Sequence, residues 1–420
     1  MKIKTKKLSY SEVLRLTPMP YQKPIRPWIL LALVIRILSF LNLLRIPFSY
    51  RKIGMERLSK KEPALILMNH SSFIDLKIAS TLLFPRRYNI VMTSDGFVGK
   101  NLLMRLIGCI PTKKFISDSL LVRNILHCVK KNNCSVLLFP EAGYSFDGTA
   151  TVLPESLGKL VKKLAVPVVM IRTFGAFSYD PLYNNLQLRK VPIRAEMEYL
   201  LSPEDIEGRS FEEINTLLQE QFTFDQFRWQ QEQGIKITEK FRADCLHRVL
   251  YKCPHCMEEG QTEGKGITLT CKSCGKAYTL TEEGFMKAED GETEFPHIPD
   301  WYAWQRECVR QELQGGKYGF RRAVDIYALI DTKCLYKVGN GVLTHNKEGF
   351  ELTGCDGQLQ YTQASDFSYC LNADFYWYEL GDVISIGTSK MLYYCIPKAR
   401  DLPVAKARIA TEELYKMSKW

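Results

Sequence analysis

The sequence predicts a mixed α/β domain with a largely parallel sheet and flanking helices, followed by a small cysteine-rich ribbon and a β-rich C-terminal domain. Short apolar runs alternate with helical patterns between residues 63 and 200, which is typical of parallel strands joined by helices. Four cysteines form two close pairs near residue 260, and a series of short β-rich segments follows residue 320. With 420 residues, of which 46% are hydrophobic, the chain is long enough for two or three domains with buried cores.

Residues 1–60 form a basic and apolar segment that we expect to associate with a membrane. They carry 13 lysines and arginines against two glutamates, so they account for the whole net charge of +11. The run 28–44 is apolar apart from Arg36, Ser39 and Asn42. A helix of this length reaches about 25 Å, short of the roughly 30 Å hydrocarbon core, and both flanks are basic. We therefore expect it to lie in the plane of an anionic membrane surface. A spanning helix and a buried core helix are the alternatives.

That interpretation places the protein on the cytoplasmic face of a membrane, as a peripheral or monotopic protein.

The predicted α/β domain covers residues 61–202. Its strands are expected near 64–68, 89–93, 135–139, 167–171 and 193–200, and its helices near 72–83, 97–107, 118–131 and 154–164. Active sites of such sheets lie beyond the carboxyl ends of the strands. One polar segment follows the strand at 64–68 and another follows the strand at 135–139. We therefore expect these two segments to share one site.

His70 and Asp75 lie just after the first of these strands, five positions apart. A neutral imidazole can accept the proton of an attacking hydroxyl, while a carboxylate on its other nitrogen fixes the tautomer and stabilises the imidazolium. The pair therefore predicts a catalytic base with its orienting acid, and it requires no serine or cysteine nucleophile. A structural histidine beside a chance aspartate is the alternative for this pair alone.

The second polar segment, residues 139–145, reads FPEAGYS. The motif NH-x4-D followed by FPE-x-G-x-S resembles the glycerolipid acyltransferase family, whose best known members are the 1-acylglycerol-3-phosphate acyltransferases. Two further segments agree in order and spacing, since residues 108–114 are similar to the family's second block and residues 166–171 to its fourth. The resemblance covers about residues 60–200.

The resemblance implies acyl transfer without a covalent acyl-enzyme. The hydroxyl of a lysophospholipid, with 1-acylglycerol-3-phosphate as the leading candidate, would attack the thioester of acyl-CoA or acyl carrier protein, and no catalytic cofactor is expected beyond this co-substrate. In the family pattern His70 is the base, Asp75 orients it, and Glu141 and Gly143 help to hold the glycerol backbone. The amide groups at the start of the helix after Ser72 are expected to stabilise the oxyanion.

The third block departs from the family pattern, which ends Glu-Gly-Thr-Arg-Ser, because this chain has Tyr144 in place of the arginine before Ser145. A tyrosine hydroxyl offers one hydrogen bond where guanidinium offers a charged, bidentate grip on phosphate. Lys113, Lys114 and Arg172 are therefore the candidate cations for an acceptor phosphate, and a solvated charged surface is the alternative for the lysines. A different lysolipid or hydroxylated lipid is the alternative acceptor.

Residues 203–245 are charged and helical in pattern, and they are predicted to link the α/β domain to a ribbon at 246–282. The ribbon has the spacing C-x2-C-x14-C-x2-C, which is close to the four-thiolate zinc pattern. Because no coordination position is left open for water, the predicted metal is a structural Zn²⁺. Redox-active thiol pairs are the alternative, but the surrounding βαβ pattern is missing. The four predicted ligands are Cys253, Cys256, Cys271 and Cys274.

Residues 283–420 predict a β-rich accessory domain that ends in a helix near 404–419. Its short strands suggest a small barrel or roll, with an element order similar to that of a pleckstrin-homology domain. An accessory β domain whose protein partner is unknown is the alternative.

A non-catalytic membrane-bound adaptor that binds lipid or protein is the main alternative to an enzyme, and the intact pair of His70 and Asp75 argues against it. Nucleic acid is not an expected partner, because the ribbon mixes lysines with glutamates and shows no basic stripe.

Overall fold

The computed structural model describes residues 2–115, 119–398 and 404–419, and this part of the chain divides into two compact units. The α/β unit comprises Pro20–Asp180 and Leu188–Trp229. The β-rich unit comprises the residues up to Met19, Pro181–Gln187 and the chain from Gln230 onwards. This division differs from the consecutive domains that the sequence predicts, because two early segments belong with the C-terminal part of the chain.

Strand β1 (Thr5–Lys7) and helix α1 (Tyr10–Leu14) come first in the chain and belong to the β-rich unit. The strands of the α/β unit follow: β2 (Phe48–Ile53), β3 (Leu65–Met68), β4 (Tyr88–Thr93), β5 (Cys109–Thr112), β6 (Ser135–Leu138), β7 (Val168–Phe174) and β8 (Ile193–Leu201). The helices along this part of the chain are α2 (Ile29–Leu43), α3 (Asp75–Leu83), α4 (Asn101–Leu106), α5 (Ser119–Leu126), α6 (Ser156–Leu164), α7 (Ala176–Tyr179), α8 (Pro203–Glu207), α9 (Phe211–Phe222) and α10 (Gln226–Glu232).

The strands of the α/β unit form one sheet in the order β2-β8-β7-β3-β6-β4-β5. Neighbouring strands in this order are parallel except for β7 and β8, which confirms the predicted mixed, largely parallel sheet. The sequence pattern misses β2 and β5, which are the two edges of the sheet. β2 reads FSYRKI and is mostly exposed, and β5 is a four-residue strand containing a proline, so neither gives a long apolar run.

Each face of this sheet is covered by helices because the strands are apolar on both faces. On one face, Ile66 and Val169 pack in a buried cluster with Ile78 of α3. On the other face, Leu67 and Met170 pack with side chains of α5, α6 and α9. Residues 203–222, which the sequence assigns to a linker, contribute α8 and α9 to that second cluster. Their buried members are Ile206, Ile214, Leu218 and Phe222.

Two predicted helices of the α/β unit have different limits in the structure. The apolar N-terminal run forms α2, which ends before Leu44. Among the described residues, no helix combines the length and the apolar character that crossing a bilayer requires.

The helix predicted at 118–131 includes Asp118, which lies outside the described residues. In the structure, α5 continues into a π-helical turn at His127–Lys131.

The β-rich unit contains two sheets, and apart from β1 their strand pairs are antiparallel over the described residues. The strands of the ribbon are β9 (Thr262–Lys265), β10 (Thr268–Cys271), β11 (Ala277–Leu280) and β12 (Met286–Ala288). The remaining strands are β13 (Phe320–Leu329), β14 (Leu335–Asn346), β15 (Gly349–Gly354), β16 (Leu359–Ala364), β17 (Asn372–Trp377), β18 (Gly381–Gly387) and β19 (Leu392–Pro397). Besides α1, this part of the unit contains the helices α11 (Ile298–Gln314) and α12 (Val404–Met417).

The larger sheet of this unit has the order β16-β15-β14-β13-β19-β18-β17. Strand β1 adds to it by pairing in parallel with β14, so that Thr5 lies opposite Leu335. The hydroxyl of Tyr10 in α1 lies 2.9 Å from that of Tyr393 in β19. The predicted β-rich C-terminal region is therefore present, and the first residues of the chain complete it.

Candidate active site

The motif that follows β3 folds into a tight turn before α3. Asn69 fixes the start of the turn, because its Oδ1 accepts from the N–H of Thr173 at 2.8 Å and its Nδ2 donates to the carbonyl of the same residue at 3.2 Å. The N–H groups of Ser71 and Ser72 donate to Oδ2 of Asp75 at 2.8 and 3.0 Å. Helix α3 begins at Asp75, three residues later than predicted, because the serines form this turn instead.

His70 and Asp75 meet in this turn, as the sequence motif suggests. Nδ1 of His70 lies 3.3 Å from Oδ2 of Asp75. The side chain of His70 is 13% exposed, whereas that of Asp75 is fully buried. Burial raises the pKa of Asp75 to about 7, although the N–H bonds from Ser72 and Ser71 act in the opposite direction. The arrangement can take a proton from a group at the surface while the buried carboxyl orients the imidazole.

Glu141 supports the backbone of the histidine. Its Oε2 accepts from the N–H of His70 at 2.7 Å, and its Oε1 accepts from the N–H and the hydroxyl of Thr151 at 3.0 and 3.2 Å. The N–H of Ser145 donates to the carbonyl of His70 at 3.3 Å, and that of Gly143 donates to the carbonyl of Glu141 at 2.7 Å. The two polar segments therefore meet. In the structure the buried Glu141 supports the turn that carries His70. The family pattern implies in addition that this residue contacts glycerol.

The side chain of Ser145 organises its own loop. Its Oγ donates to the carbonyl of Thr149 at 2.6 Å and accepts from the N–H of Gly148 at 3.0 Å. Because the side chain is buried and takes part in these bonds, its contribution is to hold the loop in shape.

Two aromatic rings pack on the imidazole. The centroid of the His70 ring lies 4.2 Å from that of Phe139 and 3.9 Å from that of Tyr144, with interplanar angles of 30° and 31°. The ring of Tyr144 also lies 5.3 Å from that of Phe73. The tyrosine that replaces the family's arginine is therefore part of the wall around the base. The sequence did not predict this packing, because no local pattern links the rings of His70, Phe139 and Tyr144.

Lys113 and Lys114 follow β5, while His70 follows β3 and Glu141 follows β6. These strands are mutually parallel through β4, so their carboxyl ends lie along one edge of the sheet. The structure thus places both lysines on the edge that carries the histidine.

Arg172 lies in β7 and is held by acidic partners. Its Nη2 lies 2.6 Å from Oε2 of Glu198 and 3.3 Å from Oε2 of Glu196, and its Nη1 donates to Oε1 of Gln221 in α9 at 2.6 Å. Two carboxylates already neutralise the guanidinium. This pairing argues against the predicted role of Arg172 in binding an acceptor phosphate.

Two of the amide groups after Ser72 have partners within the turn. The N–H of Ile74 donates to Oγ of Ser72 at 3.2 Å, and the N–H of Asp75 donates to the carbonyl of Ser72 at 3.2 Å. These two groups are therefore engaged in the turn, which corrects the expectation that they are available to an oxyanion.

Asp180, directly after α7, is a further acid in this region that the sequence did not suggest. The hydroxyl of Ser72 donates to its Oδ1, and the residue is buried. Burial raises the pKa of Asp180 to about 7, against the lowering effect of the bond from Ser72. The residue lies outside every recognised motif and 108 positions after its partner, so no local signal could have found it.

The four cysteines of the ribbon also come together, in the β-rich unit. Their sulfur atoms lie within 4.8 Å of one another. Sγ of Cys253 lies 3.8 Å from that of Cys274, and Sγ of Cys256 lies 3.6 Å from that of Cys271. Four thiolates at this spacing could hold a structural metal ion.

Among the comparisons with known proteins, one family model matches the part of the chain that carries this site. Residues 49–173 match the family model described as Acyltransferase, a range that includes His70, Asp75 and Glu141. Among solved structures, the chain is similar to the 1-acyl-sn-glycerophosphate (LPA) acyltransferase of Thermotoga maritima, with 16% identity and a TM-score of 0.36 over 46% of this chain and 76% of that one. No curated protein sequence matches this chain. The family assignment therefore rests on residues 49–173.

Proposed function

Because this chain belongs to the glycerolipid acyltransferase family through its residues 49–173, we propose that it transfers an acyl group from a thioester to the hydroxyl of a lysophospholipid. The proposed donor is acyl-CoA or acyl carrier protein, and the proposed acceptor is 1-acylglycerol-3-phosphate. The observation that carries this proposal is the contact between His70 and Asp75 at the carboxyl end of β3, with the histidine partly exposed and the acid fully buried.

In the proposed reaction, the imidazole of His70 takes the proton of the acceptor hydroxyl as its oxygen attacks the thioester carbonyl. Asp75 stabilises the imidazolium that results. The tetrahedral intermediate then expels the thiolate, which takes the proton from the imidazolium. The new ester and a free thiol are the products, so the base is restored without a covalent acyl-enzyme. A non-catalytic adaptor would not require this pair, so the geometry favours an enzyme.

The first experiment measures transfer from a labelled acyl thioester to a panel of lipid acceptors. We expect His70→Ala to lower kcat by about 10²–10⁴-fold without unfolding the protein, because general-base catalysis contributes about that factor. Asp75→Asn should lose activity as well, but less. His127→Ala, a histidine of the same unit at the start of the π-helical turn, is the matched control and should keep full activity. Full turnover in folded His70→Ala would refute the catalytic assignment.

Lys113 and Lys114 are the proposed ligands of the acceptor phosphate. They lie on the edge of the sheet that carries His70, whereas Arg172 is neutralised by two glutamates. A second candidate acceptor, a hydroxylated lipid without a phosphate monoester, is favoured by the ring of Tyr144, which packs on the base where the family has an arginine.

Acceptor preference separates these candidates. The measured quantity is the ratio of kcat/KM for lysophosphatidic acid to that for an uncharged analogue. If the lysines bind phosphate, Lys114→Ala should lower this ratio by about tenfold or more, because a charge-assisted contact contributes about 1.5–3 kcal/mol. If the acceptor lacks phosphate, Tyr144→Arg should raise the ratio and Lys114→Ala should leave it unchanged. A ratio that neither variant moves would exclude both headgroup placements.

We propose further that the α/β unit binds an anionic bilayer through α2 and α4. Leu30 in α2 and Leu102 in α4 are 71% and 67% exposed, although both are large apolar side chains. The N–H of Trp28, at the start of α2, donates to the carbonyl of Leu106 at the end of α4 at 3.0 Å, so the two helices adjoin. Exposed leucines beside basic flanks suit lipid headgroups and acyl chains. The exposed leucines support a peripheral or monotopic association with a membrane, and the basic flanks of α2 are the reason for proposing its cytoplasmic face.

The cysteine cluster is proposed to hold one structural Zn²⁺. In a tetrahedral site with Zn–S bonds of about 2.3 Å, neighbouring sulfur atoms are about 3.8 Å apart. The sulfur separations of 3.8 and 3.6 Å fit that geometry. Zinc would crosslink the two turns of the ribbon and would take no part in acyl transfer.

A further inference from the structure

Asp180 is held at the end of a tightly packed turn after β7. Gly175 begins this turn with a φ of +81°, and a Cβ at that position would lie 2.3 Å from the carbonyl oxygen of Pro192, so only glycine fits. The N–H of Gly175 donates to Oε1 of Gln226 at 2.8 Å. Helix α7 follows with Phe177 buried, and the buried Asp180 ends it. The backbone therefore fixes where this carboxyl lies.

The hydroxyl of Ser72 joins that carboxyl to the turn that carries Asp75. Ser72 is fully buried, and its Oγ donates to Oδ1 of Asp180 and accepts from the N–H of Ile74. A hydroxyl has one proton, so donation to Asp180 leaves its lone pairs for Ile74. The N–H of Ser72 donates to Oδ2 of Asp75, and the same oxygen faces Nδ1 of His70. One serine thus bonds to both carboxyls.

From this geometry we propose that Asp180 is a positioning residue for the pair of His70 and Asp75, and that it acts through the hydroxyl of Ser72. Asp180 orients this hydroxyl, the hydroxyl closes the turn onto Ile74, and the turn sets the first residue of α3, which is Asp75. The inference rests on the proposed acyl transfer for its kinetic test. Asp180 itself lies beyond the residues that match the family model.

The charges around Asp180 are consistent with this role. The groups that face it are Ser72 and Asp75 on the turn, Lys77 on α3 and the neighbouring Tyr179 on α7. Burial raises the pKa of both carboxyls, so the two buried acids carry less negative charge near neutral pH than two exposed acids would. The hydrogen bond from Ser72 and the positive charge of Lys77 both lower the pKa of Asp180.

The kinetic test compares variants that break the link in different places. Asp180→Ala and Ser72→Ala should each lower kcat/KM by about tenfold to 100-fold with an unchanged KM for the thioester, because small misplacements of a catalytic group cost about that much. The double variant should lose no more than the worse single variant, since both changes remove one link. Asp180→Asn keeps an oxygen that can accept from Ser72, and it should retain most of the activity.

The control is Asp205→Asn, which alters a carboxyl that accepts from the N–H of Ser202 at 2.9 Å in the first turn of α8. It perturbs a comparable turn without any bond to the motif of His70. We expect its kcat/KM to equal that of the native chain.

A second readout is the titration of the His70 ring followed by NMR, which does not depend on turnover. Loosening Asp75 weakens its stabilisation of the imidazolium, so His70 should lose its proton at a lower pH in Asp180→Ala and Ser72→Ala, but not in Asp205→Asn. If Asp180→Ala does not fold, the titration of His70 is compared between Ser72→Ala, which removes the hydroxyl, and Asp180→Asn, which keeps an acceptor for it.

A native titration together with native kcat/KM in both alanine variants would overturn the positioning role. Additive losses in the double variant would overturn the route through Ser72. If the native chain transfers no acyl group to any acceptor, the proposed function is wrong, and the titration of His70 still decides whether Asp180 positions it.

Discussion

At the scale of single residues, contacts with neighbouring residues fix both the backbone and the ring of His70. Its N–H bonds to Glu141, its carbonyl accepts from Ser145, its ring packs on Phe139 and Tyr144, and its Nδ1 faces Asp75. A general base has to keep one orientation through repeated proton transfers, so this support fits the proposed chemistry. Substitutions at these neighbours should therefore affect kcat more than KM.

The first prediction concerns Ala142, which has a φ of +55° and stands where the family pattern has glycine. A left-handed conformation costs a residue with a Cβ about 1–2 kcal/mol, although glycine gains entropy in the unfolded chain. We therefore expect Ala142→Gly to raise the free energy of unfolding by up to about 1 kcal/mol. Thermal and urea unfolding measure this.

The matched control is Ala364→Gly, at an exposed strand position outside the left-handed region, which should lower stability slightly. Equal destabilisation by both substitutions would mean that the conformation of Ala142 carries no strain.

The sequence predicted the meeting of the His70 and Glu141 segments because each directly follows a parallel strand. It could not predict that Glu141 and Ser145 brace the turn, since family motifs name residues without their partners. Nor could it place Arg172 or Asp180. Their partners lie in β8 and α9 for the arginine and in the turn before α3 for the aspartate, and such pairings depend on the folded sheet.

At the scale of elements, buried polar groups link helices as well as turns. In the β-rich unit, Glu413 of α12 accepts from Arg306 and Arg310 of α11 at 3.0 and 2.9 Å, and the adjacent Glu412 pairs with Arg306 at 2.7 Å. Burial alone would raise the pKa of Glu413, but its hydrogen bonds with Lys416, Arg306 and Arg310 lower it to about 2. These ion pairs connect the two helices.

The second prediction is that Glu413→Gln destabilises the protein in a pH-dependent way. The pKa of Glu413 lies below its ordinary value of 4.5 in the folded chain, so its contribution is complete above about pH 4.5 and is lost as the pH falls toward 2. Thermal unfolding between pH 7 and pH 3 should show the difference between native chain and variant shrinking as the pH falls. Glu307→Gln, which alters an exposed pair with Arg310, should change Tm little at any pH. A difference in Tm between the native chain and Glu413→Gln that does not change with pH would contradict this account.

The third prediction concerns the ribbon, whose strands are short and whose turns converge on the cysteines. We expect one zinc per chain, and we expect a strong chelator or Cys271→Ser to unfold the strands β9–β12, because metal binding supplies much of the folding free energy of such small sites. Metal analysis, thiol labelling and circular dichroism measure these changes. Cys308→Ser, at a buried cysteine of α11 outside the cluster, is the control and should keep the metal. A chain that contains no metal and keeps its cysteines protected would refute the zinc site.

At the scale of the whole molecule, the basic N-terminal residues are divided between the two units. Lys6 and Lys7 lie in β1 of the β-rich unit, whereas Arg36 and Arg45 lie in the α/β unit. The segment predicted to bind membranes as one piece, residues 1–60, is thus two structural pieces. The exposed Leu30 of α2 belongs to the second of them.

The fourth prediction is that the chain binds vesicles containing anionic lipid and that binding weakens as salt rises. Leu30→Asp with Leu102→Asp should abolish flotation with such vesicles at any salt concentration. Ile267→Asp, an exposed apolar residue of the ribbon, is the control and should bind as the native chain does. Equal binding by all three proteins would show that α2 and α4 do not face the lipid.

The pairing of β1 with β14 has a consequence for synthesis on the ribosome. Thr5 leaves the ribosome before its partner Leu335, which is made 330 residues later. At about 5–20 residues per second, the synthesis of those residues takes roughly 15–65 s. During that interval β1 has no strand to join, and the apolar α2 has already left the exit tunnel. The β-rich unit can therefore close only after β14 has been synthesised. A nascent chain that stalls before β14 would expose a basic strand and an apolar helix together, and both are features that chaperones or a nearby bilayer would capture.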